Sequence, residues 1–201
     1  MLAKRRNLYP GLFLVAALVF VAAGARAHQR TGLSQEQKDD AAGFQEFSRR
    51  VQDYIKLQRT VESKLPALKS TDLPEMITAH QQALGRTIRE ARPNAKVGDI
   101  FTHLACEAFR HLIQKGFEGS PDDDARAPMG RTEPLKVMHL QVNGIYPDAV
   151  PYTAVPPTWL AKFPKLPDDV AYRIVLRDIV LIDVKSSMVV DLAHELIPSK
   201  P

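Results

Sequence analysis

Only one cysteine, Cys106, stands in the chain, so no disulfide can form within it and its stability has to come from packing. Glycine-rich phosphate loops are missing, as are a G-x-S-x-G elbow and an H-E-x-x-H run. Their absence removes the sequence basis for nucleotide cradling, serine-hydrolase chemistry and zinc-protease chemistry. The excess of 27 basic over 23 acidic residues is concentrated at the start, because Lys4, Arg5, Arg6 and Arg26 precede residue 28 and no acid does. From residue 28 onward, 23 of each sign remain and the formal net charge is zero. The basic whole-chain balance therefore offers no footprint for a nucleic-acid partner, which needs a basic patch on the folded domain.

What the first residues do have is the three-part pattern of a secretory leader. Lys4, Arg5 and Arg6 form the charged region, Leu12 to Ala23 the apolar region, and Ala25 and Ala27 an A-x-A cleavage site. A membrane anchor would need about 20 apolar residues, and Pro10 and Gly11 shorten the run. The expectation is a signal peptide over residues 1–27, cleavage near Ala27, and a periplasmic or secreted product that meets a membrane only through the uncleaved leader. The pair Arg5-Arg6 also fits the start of a twin-arginine signal, but the residues after it add nothing to that match. Cleavage would make His28 the amino terminus, and a free amine beside an imidazole can chelate copper. Residues 28–40 are polar and aperiodic, however, and read as a flexible arm that cannot hold a rigid copper brace. His28 is read as a solvated terminus.

The rest, residues 41–201, reads as one α+β domain: a helical part over 41–118, a loop over 119–134 and a beta part over 135–197. Phe44, Phe47, Val51, Tyr54, Val61, Leu65 and Leu68 recur at helical spacing, with Gln58 as a polar interruption and Pro66 as the stop. A second helix is capped by Thr71 or Asp72 and carries Met76, Ile77, His80, Leu84, Ile88 and Ala91 inward. A third follows "KVGD" with Thr102 as its cap and Gly116 at a left-handed exit. "LKVMHLQVN" predicts a strand ended by Asn143-Gly144, and a proline-rich strap follows with a short helical turn at Trp159. "AYRIVLRDIVLIDVKSSMVVDL" predicts a three-stranded meander with turns at Arg177-Asp178 and Lys185-Ser186. Strict alternation puts Tyr172, Ile174, Leu176, Ile179, Leu181, Met188 and Val190 under the helices, and Arg173, Val175, Val180, Ile182, Val189 and Asp191 on the other face. Three N-terminal helices on a C-terminal antiparallel sheet of three to four strands is the resulting architecture.

The string from Tyr172 to Leu192, with "LPDDVAYR" before it and "GDIFT" upstream, resembles several groups of small exported bacterial proteins that have no assigned biochemical role. Such hairpins often carry glycine where this chain has Leu176. The resemblance implies export and a compact fold, and it carries over no catalytic residue.

Candidate chemistry is sparse. His103, Cys106 and Glu107 lie at i, i+3 and i+4 of one helix, with His111 further along, so a soft metal or a supported thiolate is conceivable there. Without a second cysteine or a basic activator, Cys106 reads first as a small buried hydrophobe. Asp122, Asp123, Asp124 and Glu133 imitate part of a calcium loop, but Arg126 and Ala127 occupy positions where a ligand and the turn glycine belong. No catalytic residue, cofactor or metal is assigned. The function expected is a non-catalytic binding or structural protein of the cell envelope, with an envelope protein as partner. The alternatives are an enzyme acting on an envelope polymer or small ligand and, third, a soft-metal or redox role around Cys106.

Overall fold

The computed structural model describes residues 33–68, 73–118, 140–147 and 150–198. Its elements are α1 (Gln35–Glu62), α2 (Pro74–Ala91), α3 (His103–Glu118), the single turn α4 (Pro157–Leu160), and strands β1 (Val170–Val175), β2 (Asp178–Asp183) and β3 (Met188–Ala193). The strands form one antiparallel sheet in the order β1-β2-β3, so the chain is α+β with three helices before the sheet. His28, the leader and the acidic loop of Asp122, Asp123, Asp124 and Glu133 lie outside the described residues. No described helix is long and apolar enough to cross a membrane.

Helix α1 begins at Gln35, six residues inside the stretch expected to be a loose arm. The start is set by a capping box rather than by apolar periodicity. Ser34 Oγ accepts from the Gln37 N–H while Gln37 Oε1 accepts from the Ser34 N–H, so two otherwise orphaned donors are satisfied. The polar first turns are then tied to the end of α3, where Lys115 meets Glu36 at 2.6 Å and His111 Nδ1 lies 2.8 Å from Asp40. The helix ends at Glu62, short of Pro66, with Ser63 as its C-cap. At α2 the N-cap is Leu73, which makes no side-chain cap, and Pro74 opens the helix; Thr71 and Asp72 are outside the described residues. Thr102 does cap α3, its Oγ1 accepting from the Ala105 N–H. Gly116 is helical rather than an exit. It lies against Trp159, and a Cβ added there would stand 3.1 Å from the indole nitrogen.

The chain is poor in aromatics and gathers many of them at one point. Phe47 of α1, Phe101, Phe109 of α3, Phe163 of the strap and Tyr172 of β1 pack with ring centroids 4.9–6.0 Å apart, mostly edge to face. This knot joins helices, strap and sheet. Behind the sheet, Leu140, Tyr146 and Val150 cover Val175, Val180, Ile182 and Val189, so the strap shields the second apolar face. It also protects both sheet edges, pairing Thr153 with Ile174 on β1 and Ile145 with Met188 on β3. The strand expected over 135–143 is not seen at its described end. Residues 140–144 make a turn, with Asn143 at φ 63°, and only the bridge at Ile145 follows.

The first hairpin turns one residue before the expected position, while the second is centred on the expected Lys185-Ser186 turn. Val175 pairs with Asp178, leaving Leu176-Arg177 as the first loop, and Asp183 pairs with Met188 across Val184–Ser187. Leu176 therefore leaves the inner face; it is 53% exposed and takes φ 56°. Left-handed backbone costs a branched residue roughly 1–2 kcal/mol, whereas glycine gives up about 0.5–1 kcal/mol of unfolded-state freedom. Leu176→Gly is expected to gain about 0.5 kcal/mol, read as a higher urea midpoint at unchanged slope.

Asp191 also departs from strict alternation. Leu181 faces Asp191 but Ile182 faces Val189, so Val190 is an extra residue in β3. This bulge turns Asp191 to the helical side instead of the strap side. There the carboxylate is fully buried and accepts N–H bonds from Gly98 (2.9 Å), Ile100 (2.6 Å), Phe101 (2.7 Å) and Leu192 (2.8 Å). Burial pushes its carboxyl above the usual value, and those four N–H groups oppose the shift.

Candidate functional site

Two concavities and one polar cluster carry the chain's chemistry among the described residues. The first concavity, about 260 Å³, is lined by Arg49, Arg50, Tyr54 and Arg92. Each guanidinium there already has work. Arg49 pairs with Asp53, Arg50 with Glu46 and the Asp99 carbonyl, and Arg92 reaches Asn143 and the Val190 carbonyl while lying 5.0 Å over the Tyr54 ring. Together with Arg89, which donates to the Asn143 carbonyl, Arg92 clamps the end of α2 to the Asn143 turn. This pocket is a structural joint.

The second concavity, about 560 Å³, lies between the end of α1, segment 63–68 and α2. Its wall is apolar at Leu65, Pro66, Leu68 and Ile77 and polar at His80 and Gln81. Leu68 and Ile77 are 41% and 38% exposed. One rim is the ion pair of Glu62 with Lys185 at 2.7 Å, which continues through Asp169 (3.1 Å) to Arg59 (2.8 Å). Burial alone would raise the Asp169 carboxyl, but the hydrogen bonds from Arg59 and Lys185 outweigh it and hold the group below its usual value. The four charges satisfy one another.

A buried polar seam joins α1 to the β2–β3 turn. Tyr54 donates to Asp183 at 2.7 Å, and the Ser186 N–H donates to the other oxygen of the same carboxylate at 2.7 Å. Burial first, and then the charge of Asp183, push the Tyr54 hydroxyl upward, so the phenol stays protonated and acts as a donor. One turn along α1, Gln58 is fully buried, and neither its Nε2 nor its Oε1 has a protein partner among the described residues. The Ser186 hydroxyl is likewise without one. A buried polar group left this way costs about 1–3 kcal/mol. Gln58 was legible in the sequence as the break in the α1 stripe. The roles of Asp183 and Ser186 were not, because acids and serines are common where strands turn.

The residues singled out on α3 do not converge. His103 is exposed, Glu107 is engaged by Arg110, and the Cys106 thiol donates to the Phe101 carbonyl at 3.4 Å. Burial pushes this thiol up to about 11, with the Arg110 charge opposing. The native thiol is expected to react with an aromatic disulfide reagent far more slowly than the unfolded chain at neutral pH. Its rate should climb with pH toward about 11, because only the thiolate attacks. A fast reaction at neutral pH in the folded protein would refute this reading. His111 instead joins Glu36 and Asp40, their ligand atoms within 4.8 Å of one another. Lys115 already supplies a cation there, so the group is an ionic link between α1 and α3. The chain matches no protein-family model, no curated protein and no solved structure, so these residues are interpreted on their own geometry.

Proposed function

We propose that the protein is an exported, non-catalytic binding protein of the cell envelope whose site is the groove between the end of α1, segment 63–68 and α2. The observation that carries this reading is the concave apolar wall of Leu65, Pro66, Leu68 and Ile77, of which Leu68 and Ile77 are 41% and 38% exposed. At about 560 Å³ the groove falls within the roughly 300–1,000 Å³ usual for ligand sites, with an apolar lining and a few polar groups at one side. Its occupant is an apolar segment of an envelope protein. Export is supported by the charged, apolar and A-x-A regions of residues 1–27.

The test has two parts. Mass spectrometry of the exported chain should find His28 first. An apolar fluorescent dye titrated into the mature protein should bind, and Leu68→Glu and Ile77→Glu should each weaken that binding about tenfold with circular dichroism unchanged. Equal binding by both variants would reject the groove.

A further inference from the structure

We propose that the smaller concavity, lined by Arg49, Arg50 and Arg92, is a second binding site and takes the carboxylate of a small organic acid. It shares no lining residue with the apolar groove, so the two sites stand or fall separately. The observation behind it is a guanidinium edge that the protein leaves open. Arg92 is the half-buried C-cap of α2, and its only hydrogen bonds are long ones to neutral oxygens. Nη1 donates to Asn143 Oδ1 at 3.3 Å and to the Val190 carbonyl at 3.4 Å, and Nη2 donates to that same carbonyl at 3.5 Å. Because Val190 is shared by both Nη atoms, it sits at the end of the fork. The side edge, made of Nε–H and the other Nη2–H, has no acceptor among the described residues. The carbonyl end of a helix favours a cation at this point of the chain, yet the guanidinium bonds none of the α2 carbonyls. It lies instead 5.0 Å over the Tyr54 ring, which lines the same concavity.

The rest of the lining selects the ligand. Arg50 is answered by Glu46 and the Asp99 carbonyl. Arg49 has only Asp53 at 2.8 Å, an exposed pair one helical turn apart of the kind that contributes little, and Lys56 holds Asp53 as well at 3.3 Å. The Asp99 carboxylate accepts from the Lys96 N–H at 2.9 Å. Arg92 is therefore the cation of this lining that bonds no acid. A half-buried charge gains most from an anion that bonds it directly, and a planar carboxylate matches the parallel Nε–H and Nη2–H donors. Phosphate fits less well. Its further oxygens would meet a lining that is apolar at Leu57 and Ile100, and its second charge would meet the field of Asp53 and Asp99. At about 260 Å³ the space falls below the roughly 300–1,000 Å³ of drug-sized ligands, so the acid is small, with an apolar body suited to Leu57 and Ile100.

The probes are isovalerate and its neutral counterpart isovaleramide, titrated into the isotope-labelled protein while the arginine Nε–H signals are followed by nuclear magnetic resonance. Isovalerate is expected to shift the Arg92 Nε–H signal, to bind at least about tenfold tighter than the amide, and to weaken as salt is raised. Arg92→Lys keeps the charge but not the parallel donors and should lose about tenfold in affinity. Because Arg92 also clamps α2 to the Asn143 turn, Arg49→Gln at an exposed position is the second variant; it should keep the parent's circular dichroism and bind about threefold more weakly. If isovalerate does not bind, binds no better than the amide, or leaves the Arg92 Nε–H unmoved, the site is refuted. Full affinity in a folded Arg92→Lys protein, or in Arg49→Gln where the lysine variant fails to fold, also overturns it. Inorganic phosphate binding more tightly than isovalerate would overturn the carboxylate as its ligand.

Discussion

Asp191→Ala is expected to remove about 4 kcal/mol or more of stability, enough to leave an ordinary domain unfolded or nearly so at room temperature. The side chain is fully buried and four backbone N–H groups end on its two oxygens. Hydrogen bonds to an ionised acceptor are worth roughly 1.5–3 kcal/mol each, and the alanine leaves every donor orphaned with no water at hand. Three of the donors, Gly98, Ile100 and Phe101, belong to the loop that sets Phe101 into the aromatic knot and feeds α3. The loss should therefore spread beyond the strand. Asp191→Asn keeps the shape but turns an N–H₂ toward two donors, so it should lose about half as much. Urea denaturation of both variants checks the order; a milder effect from alanine than from asparagine would contradict it.

That carboxylate also marks the limit of what the sequence discloses. The presence of α2 and α3, the Thr102 cap, the helical turn at Trp159 and the meander follow from local patterns, whereas the inward stripe expected on α2 holds only at Leu84 and Ile88, since Met76 and Ile77 stand 46% and 38% exposed and Ala91 is exposed too. The faces of the sheet are legible as far as Val190. Past the bulge the assignment inverts, since the extra residue is accommodated by the 98–101 loop some ninety residues away and nothing near Val190 announces it. The start of α1 hid for a different reason. Its first turns are polar because they face Lys115 and His111, so a capping box was the only local mark. The groove is assembled from segment 63–68, α2 and the β2–β3 turn, which no window of sequence contains together. Gln58 was visible as an anomaly in an apolar stripe, but that it is fully buried with its amide unpartnered depends on the packing of distant segments.

Gly43→Ala is the second substitution with a large expected effect, and helix propensity and packing disagree about its sign. Alanine in a helix interior is favoured over glycine by about 1 kcal/mol, so α1 considered alone would gain. A Cβ on Gly43, however, would stand 2.6 Å from the Leu104 carbonyl oxygen, 3.0 Å from its carbon and 3.1 Å from the Ala108 Cβ. The obstruction is the backbone of α3, which no rotamer change can clear. Relief requires moving α1 off α3, which strains the contacts of Phe44 and Phe47 with Phe109 at 5.2 and 5.1 Å and the Asp40–His111 link. Overpacking of this kind costs roughly 1–3 kcal/mol and here meets a rigid partner, so a net loss of about 2 kcal/mol is expected. Gly85→Ala provides the control. Its nearest neighbour would be the Ser186 Cβ at 3.8 Å, an ordinary contact, so propensity should prevail with a gain of about 0.5–1 kcal/mol. Thermal and urea unfolding of the two variants should thus move in opposite directions. If Gly43→Ala were instead the stabilising change, α1 and α3 could not approach as closely as their backbones do at Leu104.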